Sequence, residues 1–214
     1  MTLHIGFLIY PNVTQLDATG PAQVLSQLPG AQIHIVSRSM EPVATDAGFA
    51  ILPTDDFDSC PPLDVICVPG GPGQLAVMQD TPTLAFLQKQ GGSARYITSV
   101  CSGALLLGAA GLLKGYKSAC HWAFIDRLPK FGAEPVAERI VRDRNRMSGG
   151  GVTAGIDFGL ALAAEIAGEE AAKRIQLFLE YDPAPPFDAG TPAKAGPAIE
   201  ADVRAAFAAM SLQQ

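Results

Sequence analysis

Charge is scarce in this 214-residue chain: Asp, Glu, Lys and Arg make up 17% of it, against about 25% in an average soluble domain. Fifteen basic and 21 acidic residues leave a formal net charge of −6, and no basic run occurs anywhere. The phosphate-neutralising surface that nucleic-acid binding requires is therefore missing. Long hydrophobic runs are absent too. The most apolar stretch, Gly103 to Leu113, falls far short of the ~20 residues needed to span a bilayer, so no membrane is expected. The start, Met-Thr-Leu-His-Ile-Gly, has no basic region followed by an apolar one, and a cytoplasmic protein is expected. Histidine is limited to three residues, and no CxxC, HxxxH or HExxH spacing offers a metal site. The four cysteines, Cys60, Cys67, Cys101 and Cys120, are in that compartment expected to be free thiols. What is abundant is apolar side chain, 48% of residues, enough for one well-buried domain over residues 1–214.

Strand and helix signals alternate. His4 to Tyr10 is a near-continuous apolar run stopped by Pro11, as in a strand buried on both faces. Gly20-Pro21 is expected to open a short helix over Ala22 to Leu28, followed by a strand over Gln32 to Ser37. Val43 to Pro53 reads as a hairpin around Asp46-Ala47-Gly48. A buried strand, Asp64 to Val68, runs into Pro69-Gly70-Gly71-Pro72-Gly73. Helical patterns at Gln74 to Met78 and Thr83 to Gln90 precede a strand over Arg95 to Val100 and a helix over Ser102 to Leu113. A short strand, Ser118 to His121, and a helix, Trp122 to Leu128, are expected next. Val136 to Arg142 and Arg146 to Ser148 can pair as a hairpin, and after Gly149-Gly150-Gly151 come helices over Ala154 to Ala167 and Glu169 to Tyr181. Residues 182–197, rich in Pro, Gly and Ala, read as an arm, and 198–214 as a terminal helix. The alternation predicts an α/β fold, a doubly wound, mainly parallel sheet covered by helices on both faces.

In that frame Cys101 occupies the junction where a buried strand turns directly into a helix, the arrangement of a nucleophile elbow. It projects from the carboxyl edge of the sheet, where open α/β sheets bind ligands, and the helix N-terminus is expected to lower the thiol's pKa. The alternative is one more buried structural cysteine, which is how Cys60, Cys67 and Cys120 read. Two side chains can exchange protons with a thiol at this edge. His121 can pair with it or merely line the pocket, and Asp17 can act as acid and base or cap the helix that Gly20-Pro21 begins. The Pro69 to Gly73 loop offers backbone N–H groups to a developing anion, or is a simple tight turn. His4 and His34 lie within strands and are poor catalytic candidates.

Together these segments resemble the DJ-1/PfpI superfamily: Leu16 to Pro21, Val68 to Gly71, Ser99 to Ala104, His121-Trp122, and Gly149 to Asp157 occur in the family's order over nearly the whole chain. Within it they are similar to the isocyanide hydratases, which carry an aspartate where many relatives carry a glutamate, here Asp17. They usually place a threonine after the cysteine, where this chain has Ser102, which keeps the hydroxyl without the methyl. A related branch, the ligand-binding domains of AraC-type regulators, shares the His-Trp and Gly-Gly-Gly motifs. The resemblance implies a flavodoxin-like fold, a homodimer, and cofactor-independent hydration of an isocyanide to an N-substituted formamide. It also implies Cys101 as nucleophile, Asp17 as general acid and base, and Ser102, Gly71, Val152 and His121 as groups that position water or substrate. Other family activities are glyoxalase-like chemistry and cysteine-based oxidation sensing, and a free-standing effector-binding domain is a further alternative.

Overall fold

In the computed structural model, which describes residues 2–211, seven strands form one sheet. In chain order the elements are β1 (Leu3–Leu8), α1 (Gln15–Leu25), β2 (Ala31–Ser37), the hairpin β3 (Val43–Ala44) and β4 (Ala50–Ile51), β5 (Asp55–Asp56), β6 (Val65–Val68), α2 (Gln74–Val77), α3 (Thr81–Gly91), β7 (Tyr96–Val100), α4 (Gly103–Ala109), β8 (Lys117–Ser118), β9 (Glu134–Pro135), β10 (Ile140–Asp143), β11 (Arg146–Gly149), α5 (Ala154–Ala167), α6 (Glu169–Phe178), α7 (Pro192–Ala195) and α8 (Pro197–Ser211). The sheet runs β10-β11-β7-β6-β1-β2-β5. Its neighbours pair in parallel except for the β10–β11 hairpin. Every residue of β6 and β7 is buried, as in strands covered on both faces; β6 is wholly apolar, while β7 carries Thr98 and Ser99 inside.

From β1 the chain steps one way to β2, and from β6 the opposite way to β7. With right-handed crossovers this sends the connecting helices to opposite faces and opens a crevice where the order reverses, beside β1 and β6. The doubly wound α/β fold expected from the alternation is the one observed.

Several local boundaries differ from the sequence expectation, each for a tertiary reason. The first helix begins at Gln15 and runs through Gly20-Pro21 instead of opening there. A proline inside a helix costs about 3 kcal/mol, but here the ring lies against α5, where a Cβ on Gly155 would sit 3.0 Å from Pro21 Cδ. Gly159 approaches Val24 as closely, so small residues let α1 and α5 pack backbone to backbone. The strand expected over Ser118 to His121 shortens to β8, outside the main sheet and paired with β9. Trp122 to Leu128 is replaced by a 3-10 helix over Ile125–Phe131, which contains Pro129. The 182–197 segment contains the single turn α7. The terminal helix begins at Pro197, and 212–214 of its expected span lie outside the described residues.

Candidate active site

Three adjacent strands, β7, β6 and β1, deliver the site from their carboxyl ends. Cys101 follows β7 directly and holds φ of 58°, a left-handed conformation uncommon for a residue with a Cβ. Its backbone N–H donates to the Gly149 carbonyl at 3.0 Å, which ties the elbow to the end of β11. The helix can begin at once because Gly103 has no side chain. A Cβ there would lie 2.0 Å from the Val68 carbonyl oxygen.

Asp17 is fully buried, and capping does not account for it. Thr14 occupies the N-cap position of α1 and uses its hydroxyl to donate to Asp46 Oδ2 at 2.6 Å. Asp17 lies in the first turn and reaches across the crevice, where its Oδ2 accepts the Gly70 N–H at 2.8 Å. Its other oxygen, Oδ1, is buried with no hydrogen-bond partner, and the side chain whose hydrogen bonding favours the carboxylate is the Cys101 thiol. Burial pushes the Asp17 carboxyl up to about 7, with the Gly70 and Cys101 hydrogen bonds pulling weakly the other way.

The loop between β6 and α2 brings the two groups together. A Cβ on Gly70 would stand 2.4 Å from Ser102 Oγ and 3.1 Å from Asp17 Oδ2. Gly71 has φ of 132° and lies against the backbone of Asn12 to Thr14. Its N–H donates to Ser102 Oγ at 3.3 Å, so that donor belongs to the serine and is not free for an anion. The Ser102 hydroxyl thus meets Gly71 and the Cys101 sulfur, while the preceding N–H, of Gly70, goes to Asp17.

The thiol itself departs from the expectation of a lowered pKa. Burial first, then the Asp17 carboxylate and Cys120, hold it well above the ordinary value, against the smaller opposing effect of hydrogen bonds from Ser102. Seven-residue α4 does not outweigh that desolvation. The resting pair is a protonated thiol beside a buried carboxyl group whose pKa is pushed up to about 7.

His121 lies on the wall of a cavity of about 230 Å³ that opens onto Cys101, Ser102, Gly71 and Val152. Its Nδ1 accepts the Ala123 N–H at 3.3 Å, and burial lowers its pKa, so the ring is neutral. His4 and His34 are engaged with each other at 3.0 Å, and His34 with Asp55 at 2.8 Å. All four cysteines are free and buried.

Sequence reasoning missed Gln74, whose carboxamide oxygen is buried without a partner while the side chain lines the cavity. Its one signal was its position just after the glycine loop. Phe124 and Phe207 also line the cavity, and no local pattern pointed to either.

Comparison with known proteins agrees with this geometry. The model of the DJ-1/PfpI family matches residues 4–165. The chain is 54% identical over 204 residues to isonitrile hydratase of Pseudomonas putida, across 95% of this chain and 90% of that protein. It is 32% identical to the HTH-type transcriptional regulator GbdR of Pseudomonas aeruginosa, across 83% of this chain but half of the regulator. Among solved structures, a THiJ/PfpI family protein from Pseudomonas syringae superposes with a TM-score of 0.95 at 48% identity, covering 99% of this chain and 88% of that one. Drosophila melanogaster DJ-1beta superposes at 0.78 with 20% identity, covering 86% of this chain and all of the other, a likeness of fold alone. With the elbow, the glycine loop and the sheet order all in place, the chain belongs to the DJ-1/PfpI family.

Proposed function

We propose that this protein is an isocyanide hydratase, converting R–N≡C and water to the formamide R–NH–CHO with Cys101 as nucleophile and Asp17 as proton shuttle. The observation that carries the reading is the fully buried Asp17 carboxyl coupled to the thiol, with a pKa of about 7. Its aspartate identity and the 54% identity to an isonitrile hydratase support the same chemistry.

An isocyanide carbon is electrophilic but gains negative charge on attack, so nucleophile and acid must act on the same atom. Ionised Asp17 takes the thiol proton, and the thiolate forms a C–S bond to the terminal carbon while Asp17 returns that proton to it. The product is a thioimidate, R–N=CH–S–Cys101. Asp17, again a carboxylate, removes a proton from water as the hydroxide adds to the same carbon, and passes that proton to nitrogen. Collapse breaks the C–S bond, and the hydroxyl proton returns through Asp17 to sulfur as the formamide leaves. Gln74 Oε1, lacking any other partner, is the acceptor for the new N–H. Ser102, Gly71 and Val152 shape the floor around the thiol, Ser102 and Val152 hold the water, and neutral His121 forms wall rather than base. No step requires a cofactor. The same reading makes the enzyme a cytoplasmic homodimer. The exposed Leu177 and Phe178 at the end of α6 support a subunit contact, and a sizing column reads it directly.

The pH dependence follows from the pair. Below about 7 Asp17 is protonated and cannot accept the thiol proton, so kcat/KM falls about tenfold for each pH unit of further acidification. Above it the rate is flat until the thiol, held well above its ordinary value, ionises. Formamide production followed by ultraviolet absorbance from pH 5 to 9 checks this. A rate still rising through pH 8.5 would assign the base role to the thiol's own ionisation. Methylglyoxal, assayed in parallel, is expected to give no hydroxy acid, which separates this activity from glyoxalase-like chemistry.

A further inference from the structure

The two peptides that join Pro69, Gly70 and Gly71 are held at one side by the end of β1 and face the reacting pair at the other. In the first, the Pro69 carbonyl accepts the Tyr10 hydroxyl at 2.9 Å, and the Gly70 N–H donates to Asp17 Oδ2 at 2.8 Å. In the second, the Gly70 carbonyl accepts the Thr14 N–H at 3.0 Å, and the Gly71 N–H donates to Ser102 Oγ at 3.3 Å. Both peptides are trans, so each is planar with its C=O and N–H directed to opposite sides, and whatever holds the oxygen also aims the hydrogen. The glycine that follows each one adds little stiffness. The Thr14 clamp is made by the backbone. The Tyr10 clamp is a side chain, buried just after β1, and it does not line the cavity above Cys101.

We propose that Tyr10 is a positioning residue of the hydration reaction, its hydroxyl fixing the Pro69–Gly70 peptide so that the Gly70 N–H meets the Asp17 carboxylate and holds it in its basic form. This rests on the hydratase reading, in which Asp17 takes the thiol proton. The Gly70 hydrogen bond lowers the Asp17 pKa against the larger effect of burial, and an N–H whose own peptide carbonyl is hydrogen-bonded is a polarised, stronger donor. The phenol keeps its proton, since burial first, then Asp17, Cys101 and Asp46, hold it well above its ordinary value. The other titratable groups facing Asp17 are Cys101 from the elbow, Asp46 from the β3–β4 hairpin and Cys67 from β6. Tyr10→Phe leaves all three in place.

The test is Tyr10→Phe, which removes one oxygen and keeps the buried ring. Tyr96→Phe, whose hydroxyl lies 3.5 Å from Glu165, is the control. Two readouts are taken: the pH profile of kcat/KM with phenyl isocyanide, and an NMR titration of protein carrying aspartate labelled with ¹³C at its side-chain carboxyl, the Asp17 resonance being the one lost in Asp17→Asn. Tyr10→Phe is expected to move both midpoints upward from about 7 by about half a pH unit, as partial loss of a hydrogen bond to a charged group implies. At pH 7 the rate then falls about twofold, in kcat with KM unchanged, and it recovers by pH 8.5. Placing 4-aminophenylalanine at position 10 restores a donor and returns the midpoints, and Tyr96→Phe moves neither. A loss in Tyr10→Phe that is uniform across pH, with both midpoints unmoved, marks a packing role and overturns the proposal. If the wild type hydrates no isocyanide but the Asp17 resonance still titrates higher in Tyr10→Phe, the positioning stands and the activity reading falls. If that resonance is insensitive to Tyr10, the positioning is wrong whatever the turnover.

Discussion

Replacing Asp17 with asparagine should abolish turnover, by at least about 10³-fold, and at the same time make the protein more stable at pH 8. The two effects have one cause. Asp17 is fully buried, and that burial moves its carboxyl from 3.8 to about 7, a displacement worth about 4 kcal/mol. An acid whose folded pKa is raised is stabilising as the neutral form. Between about pH 4 and pH 7 the unfolded chain releases its proton while the folded chain keeps it, so stability falls as pH rises, and above 7 the full penalty is in place. Asparagine keeps an oxygen for the Gly70 N–H, carries no charge and has no such pH dependence. Urea unfolding at pH 5 and pH 8 should show the variant's advantage growing by about 2.6 kcal/mol between the two. A variant that instead loses stability equally at both would make Asp17 a structural residue of α1.

Cys101→Ala should lower turnover by at least about 10⁴-fold, to the uncatalysed background, because it removes the atom to which the substrate carbon becomes bonded. The fold should survive. Alanine adopts the left-handed φ of 58° about as well as cysteine does, and the Cys101 N–H bond to Gly149, the Gly70 N–H bond to Asp17 and the Gly71 N–H bond to Ser102 do not use the sulfur. Cys60→Ala, a buried cysteine beside Pro61 and Gln90, is the control. It should retain turnover, and loss in both variants would point to general instability rather than to chemistry. The left-handed elbow adds one more expectation to the comparison: Cys101→Gly, equally inactive, should be more stable than Cys101→Ala by about 1 kcal/mol, since glycine adopts that φ without strain.

How far the sequence revealed this can be followed residue by residue. The central strands were legible because double burial leaves mostly apolar runs such as β1 and β6, and β7, with Thr98 and Ser99, lies as fully inside. The elbow was legible because a reactive residue between such a run and a string of small helix formers has few structural explanations. The start of α1 was misplaced because Gly20-Pro21 has the local look of a helix beginning, and only its contact with Gly155 and Ile156 shows why proline sits inside. The same error made Asp17 look like a cap. Its carboxylate points away from its own helix to Gly70, 53 residues distant, a relation that no local pattern encodes. The expected lowering of the thiol's pKa followed from a helix N-terminus, and burial, visible only in three dimensions, reverses it. His121 was placed at the correct edge for an incorrect reason, since it arrives on a loop after β8 instead of on a strand of the main sheet. Phe207 lay within an anticipated helix, but the folding back of α8 onto residues 121–124 is a long-range event.

The central claim is that Cys101 and Asp17 hydrate an isocyanide through a covalent intermediate. It is tested most directly by mixing the protein with phenyl isocyanide in ¹⁸O-labelled water, quenching during the first turnover, and weighing both protein and product. The account predicts a transient mass increase equal to one phenyl isocyanide on the peptide containing Cys101, decaying as N-phenylformamide carrying ¹⁸O appears. Formamide released with no adduct at Cys101, or no formamide above the blank, would contradict it.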